Sequence, residues 1–158
     1  MVYTKRLIAC LPAVLMLITA LPSCCGDGDI HGPEPFDQLA PLTVNDLAVA
    51  AVSNSSITLT WTASGDNRDV GTATSYDLRY DTASFDPVQD PLKETWFSEA
   101  VQVEGLPAPQ SAGNAEVFEV TGLQPGVTYF FALRVADELE QTSGVSNLAS
   151  GTTTGGTE

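Results

Sequence analysis

The strongest constraint on this chain is the run Ser56-Ile57-Thr58-Leu59-Thr60-Trp61-Thr62, in which apolar and hydroxyl side chains alternate without a break. Successive side chains on a strand point to opposite faces, so Ile57, Leu59 and Trp61 share one face and the threonines the other. An amphipathic helix would need its apolar residues three or four apart, so the run belongs to a half-buried antiparallel strand. Ser75–Asp81 repeats the pattern with Tyr76, Leu78 and Tyr80 inward. Tyr129–Val135 does so again with Tyr129, Phe131, Leu133 and Val135 inward, leaving Phe130 pointing away from the core. Weaker strands are expected over Asp46–Val52, Trp96–Val103, Glu116–Thr121 and Gly144–Ser150, and no segment has a convincing helical period. Seven strands separated by turn residues predict an all-β, antiparallel, two-sheet sandwich.

Leu123-Gln124-Pro125-Gly126-Val127-Thr128-Tyr129, with Trp61 upstream, resembles the fibronectin type III domain. The resemblance implies a seven-stranded immunoglobulin-like sandwich over residues 42–154. It puts Trp61 on the second strand, facing inward, and counts the inward Tyr76 among the signature residues. It makes Leu123, Pro125 and Gly126 the turn into the sixth strand, and Tyr129 a tyrosine corner whose hydroxyl bonds back to that turn. Ser146-Asn147 before the last strand fits the same pattern. Three segments are longer than a compact member needs: 63–74, 81–94 and 104–115. Loops tolerate change where a sandwich does not, so a ligand-specific surface would be built there.

The N-terminus carries a different signal. Lys5 and Arg6 precede Leu7–Leu21, a 15-residue apolar run interrupted only by Pro12 and Thr19. That is shorter than the roughly 20 residues a spanning helix needs and suits the apolar centre of a signal peptide over residues 1–23. Leu21-Pro22-Ser23-Cys24 resembles the bacterial lipobox. That resemblance implies cleavage before Cys24, a diacylglycerol group on its thiol and a lipid anchor in the membrane of the cell envelope. Cys25, rather than Asp, follows the lipidated residue, which in that family implies sorting to the outer membrane. Residues 24–41 are rich in Gly, Pro and acids and read as a flexible acidic tether, and 155–158 as a disordered tail.

Loss of residues 1–23 would remove Lys5 and Arg6 but no acid. Four bases against 20 acids would remain, a formal charge of −16 in place of −14. Nucleic-acid affinity depends on Lys and Arg neutralising phosphates, so no nucleic-acid partner is expected. The body has no cysteine, and the only histidine, His31, falls in the tether. No disulfide, cofactor or metal centre is therefore expected. Asp66, Asn67 and Asp69 come nearest to a set of oxygen ligands, but Arg68 interrupts them where a calcium loop needs another oxygen. Asp81, Asp86 and Asp90 form a second acidic group.

With no histidine base, no thiol and no nucleophile elbow in the body, the chain is expected not to be an enzyme. The expected function is a non-catalytic envelope lipoprotein whose module binds a protein or acts as a spacer at the cell surface. The alternatives are a carbohydrate-binding module, with Trp96 opening the fourth strand as the ligand contact, or a secreted structural domain without lipid.

Overall fold

The computed structural model describes residues 39–156. The signal peptide, Cys24 and nearly all of the predicted tether lie outside the described residues. So do the last two residues of the predicted tail. Among the described residues there are seven strands: β1 (Ala48–Val52), β2 (Ser56–Thr62), β3 (Ser75–Asp81), β4 (Val101–Gln102), β5 (Ala115–Thr121), β6 (Thr128–Ala136) and β7 (Ala149–Thr152). One short helix, α1 (Glu94–Glu99), precedes β4. The strands form two antiparallel sheets with orders β1-β2-β5 and β4-β3-β6-β7. The architecture is an all-β sandwich of the fibronectin type III kind.

The alternating runs decide which side chains meet between the sheets. Ile57, Leu59 and Trp61 on β2 pack with Tyr76 and Leu78 on β3 and with Phe131, Leu133 and Val135 on β6. Five of these, Ile57, Leu59, Leu78, Phe131 and Val135, have no exposed surface. Each fully buried side chain of this size is worth about 1.5–3 kcal/mol. Since no cysteine falls among the described residues, this burial carries the fold without covalent help.

A carboxylate is built into that core. Glu116 on β5 lies opposite Trp61 on β2 and is 3% exposed. Its Oε1 accepts bonds from the Tyr76 hydroxyl at 3.2 Å and the Gln110 backbone N–H at 2.7 Å. Its Oε2 accepts from Gln110 Nε2 at 3.1 Å. A carboxylate removed from water is costly unless its oxygens are bonded, and here both are. The ring of Tyr76 meets the Trp61 indole edge-on, with centroids 5.2 Å apart. Burial pushes the Tyr76 phenol up to about 12, and the adjacent Glu116 charge adds to the rise.

The turn before β6 is closed by its own hydrogen bonds. The Tyr129 hydroxyl accepts from the Gln124 N–H at 2.9 Å, and Thr153 Oγ1 donates to the Gln124 carbonyl at 2.6 Å. Gly126 has φ +72, a left-handed conformation that a residue with a Cβ adopts at a cost.

Two expectations need correction. Trp96–Val103 is not a continuous strand: Trp96 belongs to α1, and only Val101–Gln102 pair with β3. On a strand, Trp96 and Phe97 would face opposite ways. The helical turn lets both pack down on the sheet, and both are buried. The expected strand over Gly144–Ser150 is displaced to Ala149–Thr152. Before it, Ser143 N–H and Ser146 N–H donate to the Val135 and Leu133 carbonyls. Three residues thus span what two span on β6. The two serine hydroxyls fill the mismatch by accepting from the Val135 and Leu133 N–H groups at 3.1 and 3.0 Å.

Two outcomes follow from this core. Trp61→Ala is expected to lower the unfolding free energy by about 3–5 kcal/mol in urea titration, as for other buried large aromatics. The raised phenol of Tyr76 means that the folded state holds its proton longer than the unfolded chain does. Its contribution is fully present below the ordinary value of 10.0 and is lost as pH rises through about 12. Stability measured across that window is expected to fall with rising pH, and to fall less steeply in Tyr76→Phe.

Candidate binding surface

Residues 82–100, between β3 and β4, are folded onto the outer face of the four-stranded sheet. Three carboxylates shape the approach. Asp81 Oδ1 accepts from the Ala83 N–H and Asp86 Oδ1 from the Val88 N–H, each at 2.8 Å. Asp90 Oδ2 accepts from the Trp96 N–H at 2.8 Å, satisfying a first-turn amide of α1 that has no partner within the helix. Trp96, Phe97 and Ala100 then form a second apolar cluster with Ala132 and Val145, flanked by Phe85, Phe130 and Leu148. Phe130, outward by strand parity, is therefore half-buried under this insertion.

Basic side chains hold the insertion in place. The guanidinium carbons of Arg79 and Arg134 lie 5.0 and 5.1 Å from the Phe97 ring centroid, within cation–π range. Arg79 also pairs with Asp77 at 3.0 Å and donates to the Phe97 and Ser98 carbonyls. Arg134 pairs with Glu94, and Lys93 Nζ donates to the Ser146 carbonyl. Arg68 is the remaining base among the described residues. The cations of the body are thus mostly spent on internal docking, while the acids are mostly left on the surface.

Trp96 is not the exposed platform that a sugar-stacking residue requires. It is 9% exposed, and its indole N–H donates to the Ala83 carbonyl at 2.7 Å. What surface it keeps borders a hollow of about 270 Å³ that Asp81, Asp86, Asp90 and Glu99 also line.

The loop 63–74 carries the other candidate residues. Asp66 Oδ1 accepts from the Asn67 N–H at 2.8 Å, and Asn67 and Val70 exchange backbone bonds at 3.3 Å. The Arg68 carbonyl accepts from Leu42 N–H, Gly65 N–H and Ser64 Oγ. Gly71, at φ +81, lies so close to Asp66 that a Cβ there would stand 2.0 Å from its Oδ1. Asp66 and Asn67 therefore close the loop on itself, while Asp69 is exposed on its rim. Among the described residues, no three His, Cys, Asp or Glu side chains are grouped so as to hold a metal ion. The loop borders an open hollow of about 590 Å³ with Leu42, Val44, Ala63 and Ala112 in its wall.

The signature residues lie at separate points of the fold. Trp61 and Tyr76 meet between the sheets, and Leu123 and Tyr129 are buried around the turn that bears exposed Pro125 and Gly126. Strand reading alone missed Glu116 and Asp137, both 3% exposed. Glu116 was detectable, since it shares the inward parity of Phe118 and Val120. Asp137 gave no such signal. Its Oδ1 accepts from Leu139 and Gln141 N–H at 2.9 and 2.7 Å, closing the loop after β6.

With this geometry in place, comparison with known proteins is informative. The family model of the fibronectin type III domain matches residues 40–147. Calcium-activated chloride channel regulator 1 of Macaca mulatta is 33% identical over 132 residues, which cover 80% of this chain and 14% of that protein. Calcium-activated chloride channel regulator 4 of Homo sapiens is 35% identical over 118 residues, covering 72% of this chain and 12% of that protein. The chain thus spans only a small part of the length of these relatives. Among solved structures, chicken CNTN1 FN1-FN3 superimposes with a TM-score of 0.51 at 21% identity, covering 72% of this chain and 33% of that one. A titin fragment gives 0.50 at 17% identity, covering 73% and 32%. At those identities the likeness concerns the fold. The matched span, the two-sheet topology and the Trp61 and Tyr129 geometry agree, and the chain belongs to the fibronectin type III domain family.

Proposed function

We propose that this chain is a lipid-anchored protein of a bacterial cell envelope whose sandwich binds a protein partner, or sets a spacing, without catalysing a reaction. Fibronectin type III domains are typically non-catalytic binding modules, and the interior here supports that reading. The space between the sheets is filled by the chain's own side chains, from Ile57 and Leu59 to Phe131 and Val135. What remains for recognition is an acidic surface of loops and strand edges. That occupied interior is the observation that carries the proposal.

The anchor rests on Leu21-Pro22-Ser23-Cys24 and the apolar run before it. Several acyl chains on one N-terminus hold a protein far more firmly than the marginal binding of a single chain. A strongly acidic module would then stand off an anionic membrane surface. The curated relatives are animal proteins named for regulating a calcium-activated chloride channel. They match over a small part of their length, and only the module is carried over from them here.

Expressed in a bacterium with a lipoprotein pathway and labelled with a palmitate analogue, the wild-type chain is expected to carry label and to fractionate with membranes. Cys24→Ser is expected to lose both. An intact mass that retains unmodified Met1 in the wild type would overturn the anchor.

A further inference from the structure

We propose that the open edge of β5 accepts an extended, lysine-bearing segment of a partner protein as an added strand. This rests on the reading of the module as a binding element and names the chemistry of what it binds.

The backbone comes first. β5 pairs with β2 residue for residue from Ala115↔Thr62 to Thr121↔Ser56, with no bulge. Among the described residues, its opposite edge meets no strand. At the start of β5, Gln110 Nε2 donates to the Ala115 carbonyl. From Val117 to Thr121 no outward backbone bond is made among the described residues. The other edges are poorer templates. β4 has two residues, β7 has four, and the register of β1 is broken between Val49 and Ala51. Native sheets blunt an open edge with Pro, Lys, bulges or a covering segment. β5 has no Pro and no Lys; its charges are Glu116, turned inward and bonded to Tyr76 and Gln110, and the outward Glu119, and its Val117 is 60% exposed.

The side chains then select the occupant. Beside this edge, between β5 and the end of β4, is a hollow of about 250 Å³. Tyr80, Val103 and Phe118 line it, and Glu104 and Glu119 are the charged residues around it. No base lines the hollow. Ser56 Oγ donates to Glu119 Oε1, and among the described residues no hydrogen bond is made to Oε2. A strand added beside β5 would turn alternate side chains toward the hollow and the others toward the outer face that carries Val117 and Glu119. Aliphatic residues facing inward, alternating with lysines facing outward, satisfy both environments. Pairing two copies of this chain edge to edge would instead bring like charges together.

The probe is an acetylated, amidated peptide of alternating valine and lysine, about seven residues long, added to the full chain. Hydrogen exchange across Val117–Thr121 is expected to slow by about ten-fold or more at saturating peptide, as for newly paired strand amides. The same peptide with aspartate in place of lysine is expected to leave exchange unchanged. Glu119→Lys combined with Glu104→Lys is expected to weaken binding of the lysine peptide by about ten-fold or more, with the urea midpoint of the free protein reporting that the variant is folded. Failure of the lysine peptide to bind, or unchanged exchange at 117–121, overturns the proposal. Protection that appears on another surface overturns the edge but leaves the binding-module reading standing. Self-association through β5 without peptide would show that the occupant is a second copy, and would likewise overturn it.

Discussion

The contact between Trp61 and Tyr76 is the one on which the remainder of the fold depends. Trp61 belongs to the three-stranded sheet and Tyr76 to the four-stranded one, so their edge-on meeting joins the two layers. A chain with no cysteine in its body must hold its sheets together by burial, and this pair adds an edge-on aromatic contact to it. The hydroxyl of Tyr76 extends the contact to Glu116, and Glu116 extends it to Gln110 in the long segment before β5. A single buried carboxylate thereby links both sheets and a loop. The arrangement fixes register as well as stability, because Glu116 finds its partners only when β5 lies opposite Trp61 as observed.

The same logic operates on the outer face with a weaker core. Residues 82–100 bury Trp96 and Phe97 against Ala132 and Val145, and two arginines clasp the Phe97 ring. Exposed ion pairs contribute little singly, so the apolar contact does most of the holding and the cations orient it. One consequence concerns charge. A body so rich in acids retains few bases: Arg79 on β3 and Arg134 on β6 are turned toward the insertion, and Lys93, just before α1, reaches from it to the Ser146 carbonyl. The surface offered to partners is correspondingly acidic, and its edges are less protected than its faces.

Much of this was legible from residue order. The runs at Ser56–Thr62, Ser75–Asp81 and Tyr129–Val135 are strands because period two leaves them no other half-buried conformation. The turn from Leu123 to Tyr129 was readable because its residue types have specific jobs. The insertion was not legible as a helix. Six residues are too few to show a 3.6-residue period, and aromatic Trp96-Phe97 has strand propensity that tertiary packing overrides. The displacement of β7 was hidden for a related reason. Serine hydroxyls replace ladder bonds there, and a side chain acting as backbone leaves no periodic trace. The acids at 66–69 and 81–90 read as possible ligands from composition. In the fold, Asp66, Asp81, Asp86 and Asp90 accept backbone N–H groups and shape loops.

The account turns on coupling between the two sheets through Tyr76 and Glu116. A double-mutant cycle of Tyr76→Phe and Glu116→Gln, read by urea unfolding of the full chain, tests this most directly. Groups that share a buried hydrogen bond show interaction energies of about 0.5–3 kcal/mol, and a value in that range is predicted here. Additive effects, with an interaction energy near zero, would contradict the claim that this buried contact ties the sheets together.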